Sequence, residues 1–273
     1  MHAMANILDD LCALAREAGA VEKQIFEGGF TAEIKQDGSP VTIADQKAEE
    51  IIIRKISELT PDIPFLGEES VAAGRVPDIS GGLYWCVDPL DGTKEFVEGG
   101  GEFTVNIALM ENFKPVIGVI YVPMKDVLYA ATGAGTAFMQ MAGTYEKTPI
   151  SVRAVPDAGL TVVTSRRHGN PAAIENFLGG WKVSELLACS SSLKFCAIAE
   201  GRADFYPRLG PTSEWDTAAG DAILRAAGGH ILTMDGQPLS YGKTEENFVN
   251  PHFAACPESL KKMVSDAAVR LAR

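Results

Sequence analysis

Two aspartates stand three residues apart in Asp88-Pro89-Leu90-Asp91-Gly92-Thr93, directly after the apolar run Tyr84-Trp85-Cys86-Val87. Proline fixes φ and withholds a backbone donor, and glycine removes the steric limit set by a Cβ, so the chain must turn after Val87. Such a turn can bring two carboxylates and the intervening Leu90 carbonyl to one point. Carboxylates at short range repel unless one is protonated or a cation sits among them. An all-oxygen ligand set suits a hard divalent ion, and magnesium in particular where waters complete the shell. A bare D-x-x-D is most often a turn cap, so the pair needs further acids nearby. Glu68 follows a second apolar run, Ile63-Pro64-Phe65-Leu66-Gly67, twenty residues earlier. If the two runs are neighbouring strands, their acids emerge at one edge. Asp216 opens a further segment, Asp216-Thr217-Ala218-Ala219-Gly220-Asp221, where it is also well placed to cap a helix.

These acids need elements to hold them. Ile7, Leu8, Leu11, Leu14, Ala15 and Ala18 recur at helical spacing near the N-terminus. A second helix is predicted after Thr42, its cap, with Asp45 at the third helical position and Ala48, Ile51, Ile52, Ile56 and Leu59 on its apolar face; Pro61 ends it. FTVNIALM, KPVIGVIYVP and DVLYAATGAGTAFM are β-rich and separated by short turns, which predicts an antiparallel meander. From about residue 150 the segments LTVVTSRRH, NPAAIENFL, LKFCAIAEG, ADFYP and WDTAAGDAILRAAGG alternate strand and helix, which predicts an α/β half with a mostly parallel sheet. The small face Ala218, Ala219, Ala222 and Ala226 lets the last of these helices pack close against a sheet. The expected organisation is two domains, an α+β domain over 1–148 with most of the acids and an α/β domain over 149–273 with Asp216.

The bulk composition narrows the class. With 273 residues and 46% hydrophobic content the chain can bury a large core. A net charge of −12 argues against a nucleic-acid polymer or an anionic membrane as partner. The five cysteines are scattered, without a C-x-x-C pair, which argues for a reducing compartment and against a disulfide or zinc framework. No run has the length of a membrane span. A cytoplasmic protein is expected; peripheral association with the cytoplasmic face of the inner membrane is left open, as is the oligomeric state.

GEES, DPLDGT and WDTAAG, in that order and preceded by PVTIADQKAE, resemble the metal-site motifs of the lithium-sensitive inositol monophosphatase superfamily, and the likeness runs from the first helix nearly to the C-terminus. Lys94-Glu95 after DPLDGT, together with GEFTVNIALM, SSLKFCAIAEG and YPRLGPTSEWDTAAG, is similar to the CysQ-type 3′(2′),5′-bisphosphate nucleotidases of that superfamily. The resemblance implies a layered αβαβα sandwich with its site between the two halves. It implies that Glu68, Asp88, Asp91, Asp216 and the Leu90 carbonyl bind two or three Mg²⁺ ions. Asp45 and Thr93 would orient and deprotonate the attacking water, with Glu68 assisting. Glu68, Leu90, Asp91, Gly92, Thr93 and Asp216 would also border the substrate. The implied reaction removes the 3′-phosphate of adenosine 3′,5′-bisphosphate, giving AMP and phosphate, in support of sulfate assimilation. Hydrolysis of inositol 1-phosphate or another sugar phosphate by the same machinery is the alternative. A regulatory, partner-binding protein on this fold is the alternative of another class.

A second phosphate on the substrate needs further positive charge. Ser190, within Cys189-Ser190-Ser191-Ser192, and Lys194 open the helix LKFCAIAEG; Arg166, Arg167 and His168 end a strand; Arg208 lies eight residues before Asp216. Ser190, Lys194 and Arg208 are the expected substrate contacts. Cys189 stands where CysQ-like sequences usually have glycine, so its side chain is expected to crowd the approach.

Overall fold

The protein is described here by a computed structural model, which covers residues 2–35, 38, 40–166 and 171–271. Helix α1 (His2–Gly28) leads into the short antiparallel pair β1 (Ala32–Ile34) and β2 (Pro40–Thr42). Helix α2 (Ile43–Leu59) starts on a capping box: the Thr42 side chain accepts from the helix's first turn, and Asp45 accepts from the Thr42 backbone. Then come β3 (Phe65–Gly67), α3 (Glu68–Ala72), β4 (Tyr84–Asp91), α4 (Thr93–Val97), β5 (Thr104–Glu111), β6 (Lys114–Val122), β7 (Val127–Ala131), β8 (Phe138–Gln140) and β9 (Thr148–Pro149). The rest comprises β10 (Leu160–Ser165), α5 (Pro171–Leu178), β11 (Val183–Cys189), α6 (Leu193–Ala199), β12 (Tyr206–Arg208), α7 (Trp215–Ala226), β13 (Gly229–Thr233), β14 (Phe253–Pro257) and α8 (Lys261–Leu271).

The seven strands β3 to β9 form one sheet in sequence order. Only β3 and β4 run parallel, because α3 and the loop after it return the chain to the starting edge; the others pair antiparallel, β5 to β8 as the predicted meander and β4 and β9 extending it at either end. One face of this sheet is covered by α1 and α2, through a core that includes Leu11, Leu14, Ile52, Ile56, Trp85 and Ile107. Its other face packs on α6 and α7 around Cys86, Ala108, Ile120, Phe195, Ala218 and Ala219. The small face of α7 does what its composition suggests: the Ala219 carbonyl lies so close to Gly118 of β6 that a Cβ there would collide with it. Strands β10 and β11, with β12, β14 and β13, lie on the far side of α6 and α7, and α5 and α8 close that side through Leu160, Phe177, Phe205, Leu232 and Val264. The result is the expected αβαβα stack.

The second sheet refines the expectation. β10 and β11 are parallel, and Val162 bridges to Phe205 in parallel, but β12–β14–β13 is antiparallel. The physical reason is the connection: β13 reaches β14 through the irregular stretch 234–252, with no helix to carry the chain back across the sheet. Among the described residues no helix is long and apolar enough to cross a membrane.

Candidate active site

Parallel pairing puts the ends of β3 and β4 at one edge. Gly67 stands opposite Val87, so the next residues, Glu68 and Asp88, come out side by side. The ladder between β4 and β5 then slips: Asp88 faces Asn106 and Asp91 faces Thr104, so Pro89 and Leu90 share the space opposite Val105. One extra residue bends the strand and swings Asp91 back toward the cleft. Gly92 continues the turn at φ +98°, and a Cβ there would run into Ser191 Oγ, so glycine is required twice over. From the second half, α7 presents Asp216 in its first turn, with Oδ2 accepting from Thr212 Oγ1 at 2.5 Å and Ser213 N at 2.9 Å.

Glu68, Asp88 and Asp216 each bring a carboxylate oxygen within 4.8 Å of the other two. Burial and mutual repulsion raise the pKa values of Glu68, Asp88 and Asp91. Burial and then the neighbouring carboxylates Glu68, Asp91 and Asp216 push Asp88 well above the usual carboxylate range. Burial raises Glu68 to about 8, although Lys35 pulls it down. Asp91 rises to about 6 through burial and Asp216, while the Lys194 charge and hydrogen bonds from Ser192 and Asn106 oppose the rise. A partly buried set of hard oxygen donors around the buried Asp88 fits a divalent oxygen-seeking cation.

Asp45 lies just behind this cluster. Its Oδ2 accepts from Thr42 N at 2.7 Å and Thr42 Oγ1 at 2.8 Å, and its Oδ1 accepts from Thr93 Oγ1 at 2.9 Å. The capping role and the link to Thr93 therefore coexist on one carboxylate. Burial raises its pKa against those hydrogen bonds.

One cavity of about 270 Å³ is bordered by Glu68, Asp88, Leu90, Asp91, Gly92, Thr93, Ser190, Lys194, Arg208 and Asp216, with Phe195, Tyr206 and Phe253 on its far wall. All the predicted site residues are thus brought together, Asp45 through Thr93. Lys194 is buried; its Nζ donates to the Ser191 carbonyl at 2.5 Å and sits 5.6 Å from the Tyr206 ring centre. Burial lowers its pKa, and Arg208 adds to that effect. Arg208 donates to the Pro211 carbonyl at 2.5 Å, and its Nε is buried without a hydrogen-bond acceptor.

A scan of family models matches residues 3–268 to the inositol monophosphatase family. The chain belongs to that family. It is 45% identical over 249 residues to the 3′(2′),5′-bisphosphate nucleotidase CysQ of Salmonella typhimurium (strain LT2), covering 90% of this chain and 98% of that protein. Identity to the CysQ of Escherichia coli (strain K12) is 43% over the same share of both. The crystal structure of CysQ from Bacteroides thetaiotaomicron, a bacterial member of the inositol monophosphatase family, superposes with a TM-score of 0.75 at 39% identity, over 94% of this chain and 97% of that one. Enzymes of the inositol monophosphatase family are metal-dependent phosphatases, and the acidic cluster is the matching feature here.

Other expectations need correction or completion. Cys189 borders a different cavity, with Glu102 and Tyr129, and not the one that holds Asp91; it ends β11 facing the core, and the next residue, Ser190, turns to the cleft. Arg166 pairs with Glu102 at 3.1 Å and does not border the cleft. Arg167 and His168 lie outside the described residues. Helix α6 has only seven residues and starts at Leu193, after the serines. Lys35 was not anticipated: it lies 2.7 Å from Glu68 and 2.6 Å from Glu69, in a polar stretch that looks like an ordinary turn. Ser192 was not singled out either, yet its Oγ lies 2.8 Å from Asp91 Oδ2 and 3.0 Å from the Asp216 carbonyl, and accepts from Asn106 at 2.8 Å. A buried asparagine inside the apolar strand FTVNIALM was the available signal.

Proposed function

We propose that the protein is a Mg²⁺-dependent phosphomonoesterase that removes the 3′-phosphate of adenosine 3′,5′-bisphosphate, leaving AMP and phosphate. The observation that carries this reading is the convergence of Glu68, Asp88 and Asp216, with Asp91 beside them, in a chain 43–45% identical to CysQ nucleotidases. Glu68, Asp88, Asp91, Asp216 and the Leu90 carbonyl would hold the magnesium, as two or three ions. When bound, magnesium neutralises a phosphate dianion, acidifies water and steadies a leaving oxygen.

The chain's own residues do the rest. With its hydroxyl proton directed to Asp45 Oδ1, Thr93 Oγ1 offers a lone pair to the attacking water and passes the proton on to Asp45. Asp45 is fixed for that task by two donors on its other oxygen. Ser190, Lys194 and Arg208 would take the second phosphate, and the Phe195, Tyr206 and Phe253 wall would exclude water from the organic part. That activity would clear adenosine 3′,5′-bisphosphate, which arises from sulfate activation, and so would link the protein to sulfate assimilation.

The test is phosphate release in Mg²⁺ from adenosine 3′,5′-bisphosphate and inositol 1-phosphate, side by side, with and without Li⁺. A strong preference for the nucleotide, with inhibition by Li⁺, is expected. Preference for the inositol ester would move the substrate assignment to the sister activity, and no turnover of either would favour the partner-binding alternative.

A further inference from the structure

Glu102 stands in the loop ahead of β5, anchored by its buried neighbour Phe103, whose ring packs 4.9 Å from that of Phe96 and 5.5 Å from that of Phe26. It belongs to the first sheet's side of the cleft. From there it holds the serine segment of the other side at two points. Its carboxylate Oε2 accepts from Ser190 N at 3.1 Å, and its backbone carbonyl lies 2.8 Å from Ser191 Oγ. That same hydroxyl lies 2.9 Å from the Asp91 carbonyl, against the face of Gly92 that must lack a Cβ. Ser191 is held at φ +50°, a conformation that a serine adopts only when its surroundings impose it. Lys194 follows from it, since its Nζ donates to the Ser191 carbonyl.

The other carboxylate oxygen of Glu102 faces away from the cleft. Oε1 accepts from Lys125 at 2.9 Å and pairs with Arg166 at 3.1 Å, both beside a second cavity of about 410 Å³. Although burial works the other way, the hydrogen bond and charge of Lys125, the Ser190 N–H and the Arg166 charge hold the Glu102 carboxyl below its ordinary range. It is therefore an anion at neutral pH, accepting a charge-assisted bond from Ser190. A surface acid neutralising a lysine would need only Oε1; the use of Oε2 on the Ser190 N–H sets Glu102 apart.

We infer that Glu102 is a positioning residue for the substrate wall: it fixes Ser190 and Ser191, and through Ser191 the Lys194 ammonium, and so sets how tightly the nucleotide binds more than how fast its ester is cleaved. The inference rests on the proposed reading that Ser190 and Lys194 contact the substrate. Glu68, Asp88 and Asp45 are held by other elements, and none of their hydrogen bonds runs through Glu102.

The test compares wild type, Glu102→Ala, Glu102→Gln and Lys125→Ala, in Mg²⁺, for kcat and KM on adenosine 3′,5′-bisphosphate, with amide hydrogen exchange over 188–194 measured without substrate. Glu102→Ala is expected to raise KM about tenfold, the scale of one lost charge-assisted bond, with kcat within about threefold and faster exchange at Ser190. Glu102→Gln should fall between, since its amide oxygen still accepts from Ser190 N–H. Lys125, half-exposed and outside the cleft, should give a smaller rise in the same direction. Unchanged KM and unchanged exchange in Glu102→Ala would overturn the inference. So would a fall in kcat and melting temperature together with KM untouched, the mark of a folding defect alone. If wild type leaves the nucleotide intact, the proposed function fails, and the exchange comparison by itself decides the role of Glu102.

Discussion

Asp204 and Asp88 are both buried carboxylates with opposite surroundings. Asp204 Oδ1 and Oδ2 accept from the Arg153 guanidinium at 2.8 and 2.7 Å, and Oδ2 also accepts from Thr161 N at 2.7 Å. Asp221 is served by Arg225 at 2.7 Å and Tyr241 at 3.1 Å, and Glu214 by two backbone N–H groups at 2.9 Å each plus Lys243 at 2.7 Å. Asp88 accepts from the Leu90 N–H at 3.0 Å and otherwise faces Glu68, Asp91 and Asp216. A buried acid with its own donors ties elements together. Buried acids turned toward each other store repulsion that only a cation or a proton relieves. The difference separates Asp88, at the centre of the site, from the scaffold acids without reference to any motif.

The largest expected effect breaks that comparison from the site's side. Asp88→Asn should lower kcat/KM by about 10²–10³-fold or more, the scale for losing one electrostatic contact to a transition state. In chelator, it should also raise the melting temperature. The sign follows from linkage: the folded pKa of Asp88 lies above its unfolded value, so its contribution to stability is full at low pH and is lost as pH rises through the folded pKa. At pH 8 the neutral amide escapes that loss and can still accept from Leu90 N. Retained activity, or a lower melting temperature, would erase the distinction.

Asp204→Asn is the converse and should cost about 3 kcal/mol in urea unfolding, the lower end for breaking a buried ion pair, because Arg153 can still reach water. Turnover per folded molecule should be unchanged. A loss of turnover at constant stability would place Asp204 with the cleft acids.

Much of this division was legible in the sequence, and the reason is locality. Asp88, Leu90, Asp91, Gly92 and Thr93 lie in one turn whose proline and glycine announce it, and Thr42 with Asp45 is a capping pattern within four residues. The meander followed from β-rich segments separated by short turns. What escaped acts across distance in the chain: Lys35 reaches Glu68, Asn106 reaches Ser192, and Glu102 reaches Ser190, with nothing in spacing to connect them. Cys189 was misplaced for a related reason. Whether the last residue of a strand faces cleft or core depends on the pleat, and composition at one position does not set it. The antiparallel part of the second sheet was hidden likewise, since a long irregular connection carries no signal of strand direction.

Glu22 fits neither class of acid and sharpens the comparison. It is fully buried on α1, one turn before Ile25 and Phe26, and neither carboxylate oxygen has a hydrogen-bond partner. Burial, followed by the charge of Asp45, raises its pKa well above the usual range. Its contribution to stability is therefore full below about pH 4.5, the ordinary Glu range, and is lost as pH rises through the folded pKa. Glu22→Met should add about 1–3 kcal/mol at pH 4.5, the cost of one orphaned buried polar group that is still present when the carboxyl is protonated, and more at pH 8, where the cost of the raised pKa is added. Unfolding curves at the two pH values check this. An equal gain at both would mean that the ionisation of Glu22 costs the fold nothing, and that packing and the unpaired carboxyl carry the whole effect.

The smallest expected effect is at Cys189, one residue from Ser190 and on the opposite side of the same wall. Its thiol is buried in the core shared by the two sheets, and burial raises its pKa, so it remains a neutral thiol. Cys189→Gly removes packing and adds backbone freedom at the end of β11, about 0.5–1 kcal/mol of stability by the glycine cost alone. KM for adenosine 3′,5′-bisphosphate should stay within about twofold, because the removed atoms face the cavity behind the wall while the Ser190 N–H remains on Glu102. A tenfold lower KM would mean that the thiol does crowd the substrate. The contrast with Glu102→Ala makes the pair informative: both residues border the second cavity, but only one of them bonds through the wall to the segment that faces the cleft.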